Sequence, residues 1–420
     1  MSLLETALTR QVGIDVPLIC GAMFPCSNPE LVAAVSEAGG IGVVQPLSLT
    51  YVHGYAFSAG LRLIRRLTTK PIGMNVLIEQ SSNAYLDRMR RYVDAALEEG
   101  IRFFVTSLGN PRWVVERVRP AGGLVYHDVT ERKWAEKGLA GGVDGLIAVN
   151  NRAGGHAGGK SPEELFAELQ GFGVPLVCAG GIGDADGFVA ALRLGYAGAQ
   201  LGTRFIATEE CRAAPAYKQA IVDARDSDIV LTERVTGVPL AVIRTPFVER
   251  VGTRVGPIAR WMFRHRRTKR VIRTFYAVRS IWKLKRSLMD GSSTRDYWQA
   301  GKSVSGIHEI LPAATVVRRF ADRYLDATTV GHPILEAAMT NPVSIERFVQ
   351  ELEKLKVEMD AGNLRHGDYD QRLARSIQEL RERGLDADRP MVKAAIADLH
   401  KRGIITPSVV AHLEKRLGLT

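Results

Sequence analysis

The chain lacks any apolar run of the about 18 residues that a bilayer-spanning helix needs. Its N-terminal stretch, MSLLETALTRQVGIDVP, meets charge early and has no apolar core segment, so no secretory signal is expected and the cytoplasm is the expected location. Cysteine is scarce: Cys20, Cys26, Cys178 and Cys211 are the four in 420 residues. None forms a C-x-x-C pair and no Cys/His set has zinc spacing, which argues against a disulfide framework and leaves no metal to expect. Acidic residues are missing from one stretch only. Arg254 to Arg286 carries twelve Lys/Arg and no Asp or Glu, which accounts for the whole formal charge of +11. The remainder is near neutral, so a general nucleic-acid binder is not expected.

What is present is rhythm. Between Pro17 and about Arg225, short apolar runs alternate with amphipathic stretches. The runs are PLICGAM (17–23), IGVVQ (41–45), PIGMNV (71–76), FFVTS (103–107), LVYHDV (124–129), GLIAVN (145–150), PLVCAGGI (175–182) and GAQLGT (198–203). They are rich in Val, Ile and Leu without polar alternation, as suits parallel strands buried on both faces. Their starts recur every 21 to 32 residues, the length of a strand–helix unit. Helix signals fill the gaps: Asn28 as a cap before 30–38, Ser161-Pro162 before 163–170, and Asp184 before 185–193 with Gly195 after it. Eight such units predict an α/β (β/α)8 TIM barrel over residues 1–225; a doubly wound open sheet is the alternative. The rhythm then stops. Residues 226–325 are expected to form a mostly helical cap that completes the site. Residues 326–420 are expected to form a charged helical extension, with helices at Ile345–Met359, Tyr369–Arg381, Met391–His400 and Val409–Leu417. A weak internal repeat pairs Gly362-Asn363-Leu364 with Gly403-Ile404-Ile405.

Barrel chemistry sits at the C-terminal ends of strands. There, the seventh run ends Gly180-Gly181 and the eighth ends Gln200-Leu201-Gly202-Thr203. Glycines at these two turns let backbone N–H groups approach a phosphate, and Thr203 can add a hydroxyl. The alternative is tight turns and nothing more. The sixth run leads into Ala153-Gly154-Gly155-His156-Ala157-Gly158-Gly159, where His156 has room to exchange a proton near neutral pH. Gly21, Ala22 and Met23 suit the face of a planar ring, and Asn75 supplies a donor and an acceptor for its polar edge. His127 and Asp128 close the fifth run and are candidate substrate contacts at the mouth, as is Arg152; barrel-rim structure is the competing reading for the first two.

Together, PLICGAM, PIGMNV, AGGHAGG, VCAGGIGDADGFVAALRLGYAGAQLGTRFIATEEC and YWQAGKSVSGI resemble the nitronate monooxygenase family, formerly called 2-nitropropane dioxygenases. The resemblance spans about residues 14–310 and implies an FMN-dependent oxidoreductase. It implies that Asn75 hydrogen-bonds the flavin, that Gly154 meets it, that His156 is catalytic, and that Gly180, Gly181, Gln200, Leu201, Gly202 and Thr203 form the phosphate loops. Val149 and Arg152 stand where family members often carry Gln and Glu.

Two activities follow from that resemblance. One is oxidation of alkyl nitronates with O2 to a carbonyl compound and nitrite. The other is NAD(P)H-dependent reduction of quinones or enoyl thioesters. Residues 258–289 interleave aromatic and apolar residues with Arg and Lys. They read either as a cap helix packed on the barrel or as a peripheral contact with an anionic membrane. Whether the protein is an oligomer stays open.

Overall fold

The structure, a computed structural model, describes residues 4–78, 83–256, 261–262, 265, 272, 283–286, 288, 292–294, 296–329, 343–360, 385–386, 389–407 and 409–410. The eight apolar runs form eight parallel strands: β1 (Leu18–Cys20), β2 (Ile41–Val44), β3 (Ile72–Leu77), β4 (Phe103–Ser107), β5 (Leu124–Val129), β6 (Gly145–Val149), β7 (Leu176–Ala179) and β8 (Gly198–Leu201). They pair in chain order and close, β8 beside β1, into a barrel. The open-sheet alternative is thereby excluded. Closure is registered by Ile19 opposite Gln200 on one side and Ala179 opposite Gln200 on the other.

Alternation along each strand divides its residues between two cores. Ile19, Ile41, Val43, Phe103, Val105, Tyr126, Ile147, Val177 and Ala179 fill the barrel interior. The intervening residues, such as Leu18, Met74, Phe104, Val125, Leu146 and Leu201, join the larger core between strands and helices. Each fully buried aliphatic side chain contributes about 1.5–3 kcal/mol, which is why both faces must be apolar for most of the strand length. The N-terminal helix α1 (Ala7–Val12) lies against one end. Its Leu8 joins the inner core, and Gln11 Oε1 accepts from the Tyr126 hydroxyl at 2.8 Å. The helix covers that end in part, leaving a cavity of about 330 Å³ lined by Gln11, Lys70, Arg102 and Leu124; the candidate residues lie at the opposite mouth, where the strands end.

Helix starts follow their caps in two of three cases. Ser161 and Glu164 form a capping box for the helix Pro162–Leu169. Asp184 accepts from Gly187 N at 2.8 Å to start Ala185–Leu194, which Gly195 ends in the left-handed region. Asn28 stands at the start of Pro29–Glu37 but makes no cap. Its amide instead donates to Glu30 (2.7 Å) and to the Glu210 carbonyl (2.9 Å), tying the β1 and β8 loops together.

The segment after the barrel departs from the expected helical cap. It opens with an antiparallel pair, β9 (Ile229–Thr232) and β10 (Leu240–Ile243). Val235, Leu240, Val242, Val248, Leu284 and Tyr297 give the pair a small core of its own. The short apolar runs IVL (229–231) and LAVI (240–243) flank a turn through Gly237-Val238-Pro239, and their β-branched residues suit strands rather than helix. Of residues 258–289, only scattered positions are described. The reading of that stretch as a cap helix or a membrane-binding helix therefore lies outside the described residues.

The chain divides into two compact units, Met1–Asp326 and Ala327–Thr420. In the second, Val343–Ser344 pairs in parallel with Leu385–Asp386. Helices Ile345–Asp360 and Arg389–Lys401 match two expected elements, and Arg402 bonds both Glu353 and Asp398. The expected helix Tyr369–Arg381, most of Val409–Leu417, and the Gly362-Asn363-Leu364 half of the repeat lie outside the described residues. Among the described residues, no helix is long and apolar enough to cross a membrane.

Candidate active site at the barrel mouth

Adjacent strands bring the two glycine turns together. Because Ala179 registers with Gln200, Gly180-Gly181 and Leu201-Gly202 leave the barrel side by side. Gly181 has φ +81°, and a Cβ there would come within 2.9 Å of the Arg152 side chain. Only glycine allows both the left-handed backbone and that approach. Among the described residues, no loop hydrogen bond uses the N–H of Gly181 or Gly202. Both turns are half-buried, so these two backbone donors at one mouth are open to a ligand.

The polar interior layer comes from β3, β5 and β8. Asn75 is buried, registers with inward Val105, and donates to its carbonyl at 3.3 Å. Gln200 packs its methylenes against Gly21, where a Cβ would fall 2.9 Å from Gln200 Cγ. Gly21 N–H in turn donates to the Leu201 carbonyl at 3.0 Å. Asp128 registers with inward Ile147. Burial pushes its carboxyl up to about 7, tempered by the Gln200 amide. Asp128 Oδ1 and Gln200 Oε1 are both buried without a partner.

The neighbouring candidate, His127, is not part of this site. It points outward from β5, its Cδ2 against Gly138 on the helix Arg132–Ala140, and its Nδ1 lies 2.8 Å from Thr106 Oγ1. Burial lowers its pKa to about 4, so it is a neutral wall histidine. Period-two alternation decides this: adjacent residues cannot both face the mouth. By the same rule the Leu201 side chain lies in the outer core, and only its backbone reaches the turn.

The β6 loop lies across the mouth, held by contacts the sequence did not announce. Asn150, fully buried, donates to the Gly180 carbonyl at 2.9 Å and accepts from Arg152 N at 2.8 Å. It fastens the β6 loop to the β7 turn. Gly154 and Gly301 pack backbone on backbone; a Cβ on Gly154 would sit 2.9 Å from Gly301 N. Gly301 N–H donates to Thr203 Oγ1 at 3.0 Å, and Lys302 N–H to the Arg152 carbonyl at 2.9 Å. Thr203 therefore secures the cap with the oxygen expected to face a phosphate. The Gly155 carbonyl accepts from Ala241 N at 2.8 Å, joining the loop to β10. Gln299 completes the ring by donating to the Phe24 carbonyl at 3.3 Å. Asn150 ended an apolar strand and Gln299 sat in a quoted motif. Those were the signals available for them.

His156 stands exposed at this rim, its Nε2 3.2 Å from the Thr236 hydroxyl on the β9–β10 turn. The surrounding chain removes enough solvent from the ring to lower its pKa. Arg152 lies against the Gly181 turn, 3.6 Å from Asp226, with both side chains 43% exposed. Ala22 and Met23 are half-buried beside the β8 turn, and Met23 Sδ is 3.5 Å from where a Gly202 Cβ would be. Of the expected site residues, the structure gathers all but the His127 and Leu201 side chains around one mouth.

A parallel barrel with this mouth is the framework of a flavin-dependent oxidoreductase. The comparisons agree. The chain belongs to the nitronate monooxygenase family, whose model matches residues 5–321. It is 31% identical over 252 residues to the (3aS,4S,5R,7aS)-5-hydroxy-7a-methyl-1-oxo-octahydro-1H-indene-4-carboxyl-CoA dehydrogenase of Mycobacterium tuberculosis, covering 59% of this chain and 68% of that one. It is 27% identical to a protein of Staphylococcus saprophyticus named "Probable nitronate monooxygenase", covering 59% and 81%. Among solved structures, FabK from Thermotoga maritima aligns with TM-score 0.63 and 26% identity over 77% of this chain and 97% of its own. A nitroalkane oxidase from Streptomyces ansochromogenes aligns with TM-score 0.62 and 25% identity over 77% and 99%.

Proposed function

We propose that the protein binds FMN at this mouth and oxidises alkyl nitronates with O2 to a carbonyl compound and nitrite. The observation that carries the reading is the side-by-side placement of the Gly181 and Gly202 turns, with free N–H groups, next to the unpartnered Gln200 and Asp128 oxygens. The residues suit FMN on both counts. The turns would hold its phosphate, and Asn75, Gln200 and the Gly21–Met23 backbone would hold its ring. Gly154 would lie against the ring beneath the cap. When bound, the isoalloxazine supplies the electron-transfer chemistry, and the protein supplies position and electrostatics. His156, its pKa lowered by loss of solvent, would accept a proton from a nitroalkane or orient the oxygens of its anion. The β10 strand and Gln299 would keep bulk water from the reacting face.

The test is the absorbance spectrum of the purified protein, followed by anaerobic mixing with propionate-3-nitronate. Flavin absorbance and its change on mixing are expected. A colourless protein that refuses added FMN would sink the cofactor reading, and an unchanged flavin spectrum at millimolar nitronate would sink the substrate reading.

A second reading is favoured by Arg152, a cation at the rim beside the β7 turn. It suits a substrate carrying phosphate, such as a CoA thioester or a nicotinamide dinucleotide. The M. tuberculosis relative is named for a CoA-ester substrate. Bleaching of the flavin by NADPH or NADH without nitronate, reversed by an enoyl thioester or a quinone, would select this reading.

A further inference from the structure

Asp128 enters the reading above through its unpartnered oxygen, but this interior group has no role of its own there. It occupies the inward side of β5 one register step above the aliphatic layer, where Ile147 beside it and Tyr126 below it are sealed in the core. Across the mouth it meets Gln200 of β8, whose amide N–H2 is the group that stabilises the carboxyl. Gln200 Oε1 and Asp128 Oδ1 are each buried, and neither has a partner.

Two unpartnered buried oxygens on interacting inward side chains suit few ligands. If Oδ1 carries the proton, the pair becomes one donor beside one acceptor. That is the complement of an imide edge, where a ring carbonyl oxygen sits beside a ring N–H. The pyrimidine end of an isoalloxazine presents such an edge.

The surroundings favour the neutral acid. By register and alternation, Asn75 on β3, Ser107 on β4, Val149 on β6 and Gln200 on β8 share the inward side with Asp128, and all are uncharged. On its own strand Tyr126 bonds Gln11 and His127 points away. His156 and Arg152 belong to the β6 loop. Burial raises the acid and Gln200 lowers it, with no charged side chain contributing.

Resting on the flavin reading, we propose that Asp128 holds the ring as a neutral carboxylic acid. Its O–H donates to a ring carbonyl while Gln200 accepts from the adjacent ring N–H, so ring binding weakens when Asp128 ionises.

The experiment titrates apoprotein of the full chain with riboflavin and, separately, FMN, following flavin fluorescence between pH 5.5 and 8.5. Riboflavin lacks the phosphate, so its pH course isolates the ring. The parent should bind riboflavin about tenfold more weakly at pH 8.5 than at pH 5.5. Asp128→Asn keeps a donor and an acceptor without titrating, so it should bind at every pH as the parent does at pH 5.5. Asp128→Leu should bind about tenfold to a hundredfold more weakly throughout. Infrared spectra of the ligand-free parent at pH 6 should show a protonated-carboxyl band that Asp128→Asn lacks. The proposal is overturned if parent binding is flat with pH, if Asp128→Asn follows the parent's pH course, or if Asp128→Leu binds as tightly as the parent. A parent that takes up neither flavin at any pH overturns the cofactor reading together with this one, and is distinct from pH-independent binding.

Discussion

The wall of the barrel and its mouth are built from the same eight strands, yet they treat polar groups in opposite ways. His127 in the wall is buried and satisfied, bonded to Thr106, and stays neutral with a pKa near 4. Asp128, the next residue, is at the mouth with one oxygen unpaired and a pKa near 7. A wall needs every polar group paired to be stable. A binding mouth keeps some groups unpaired for a ligand, and the fold carries that cost. The difference puts a paired histidine on one face of β5 and an unpartnered acid on the other.

The strongest way to break this comparison is to remove one titration at a time. An acid with a raised folded pKa makes the folded state the better proton binder between pH 3.8 and 7, so it loses stability as pH rises through that window, by up to about 4 kcal/mol. A histidine with a lowered pKa does the reverse. It loses stability as pH falls from 6.5 through 4, by about 3 kcal/mol. The two slopes oppose each other between pH 4 and 6.5. Asp128→Asn should therefore show steeper acid destabilisation than the parent, and His127→Gln should show falling stability toward neutral pH. Urea unfolding of the apoproteins at several pH values checks this, because other groups cancel in the difference from the parent. Equal slopes in both variants would erase the distinction between the two faces.

Next in size is Gly301→Val. A side chain there collides with the Gly154 backbone, so a destabilisation of about 3 kcal/mol is expected. FMN affinity should fall at least a hundredfold because the cap can no longer seat on the β6 loop; fluorescence titration and thermal melts separate the two effects.

Thr106→Val sharpens the wall side. It removes the hydroxyl that meets both His127 and the Tyr126 carbonyl. About 1–3 kcal/mol should be lost with flavin affinity unchanged, and a concurrent loss of flavin would mean that His127 serves the site after all.

The smallest stability change is expected at His156. Because it is exposed, His156→Gln should move stability by no more than about 0.5 kcal/mol. Turnover should fall roughly a hundredfold if the imidazole handles a proton. Steady-state kinetics on an unperturbed, flavin-loaded variant distinguishes that from a rim histidine with no chemical role.

Much of this was legible from residue order. The eight apolar runs became the eight strands, two of them, Phe103–Ser107 and Leu124–Val129, with the expected bounds, because burial on both faces leaves a local signature. Gly181 announced its turn for a similarly local reason: only glycine tolerates that backbone and that approach. The tertiary structure alone decided which face of β5 each of His127 and Asp128 takes, that Asn150 fastens two loops, that Gly154 meets Gly301, and that β9 and β10 form a ribbon. Those outcomes depend on strand register, barrel closure and contacts between residues far apart in the chain, and no window of neighbouring residues contains that information.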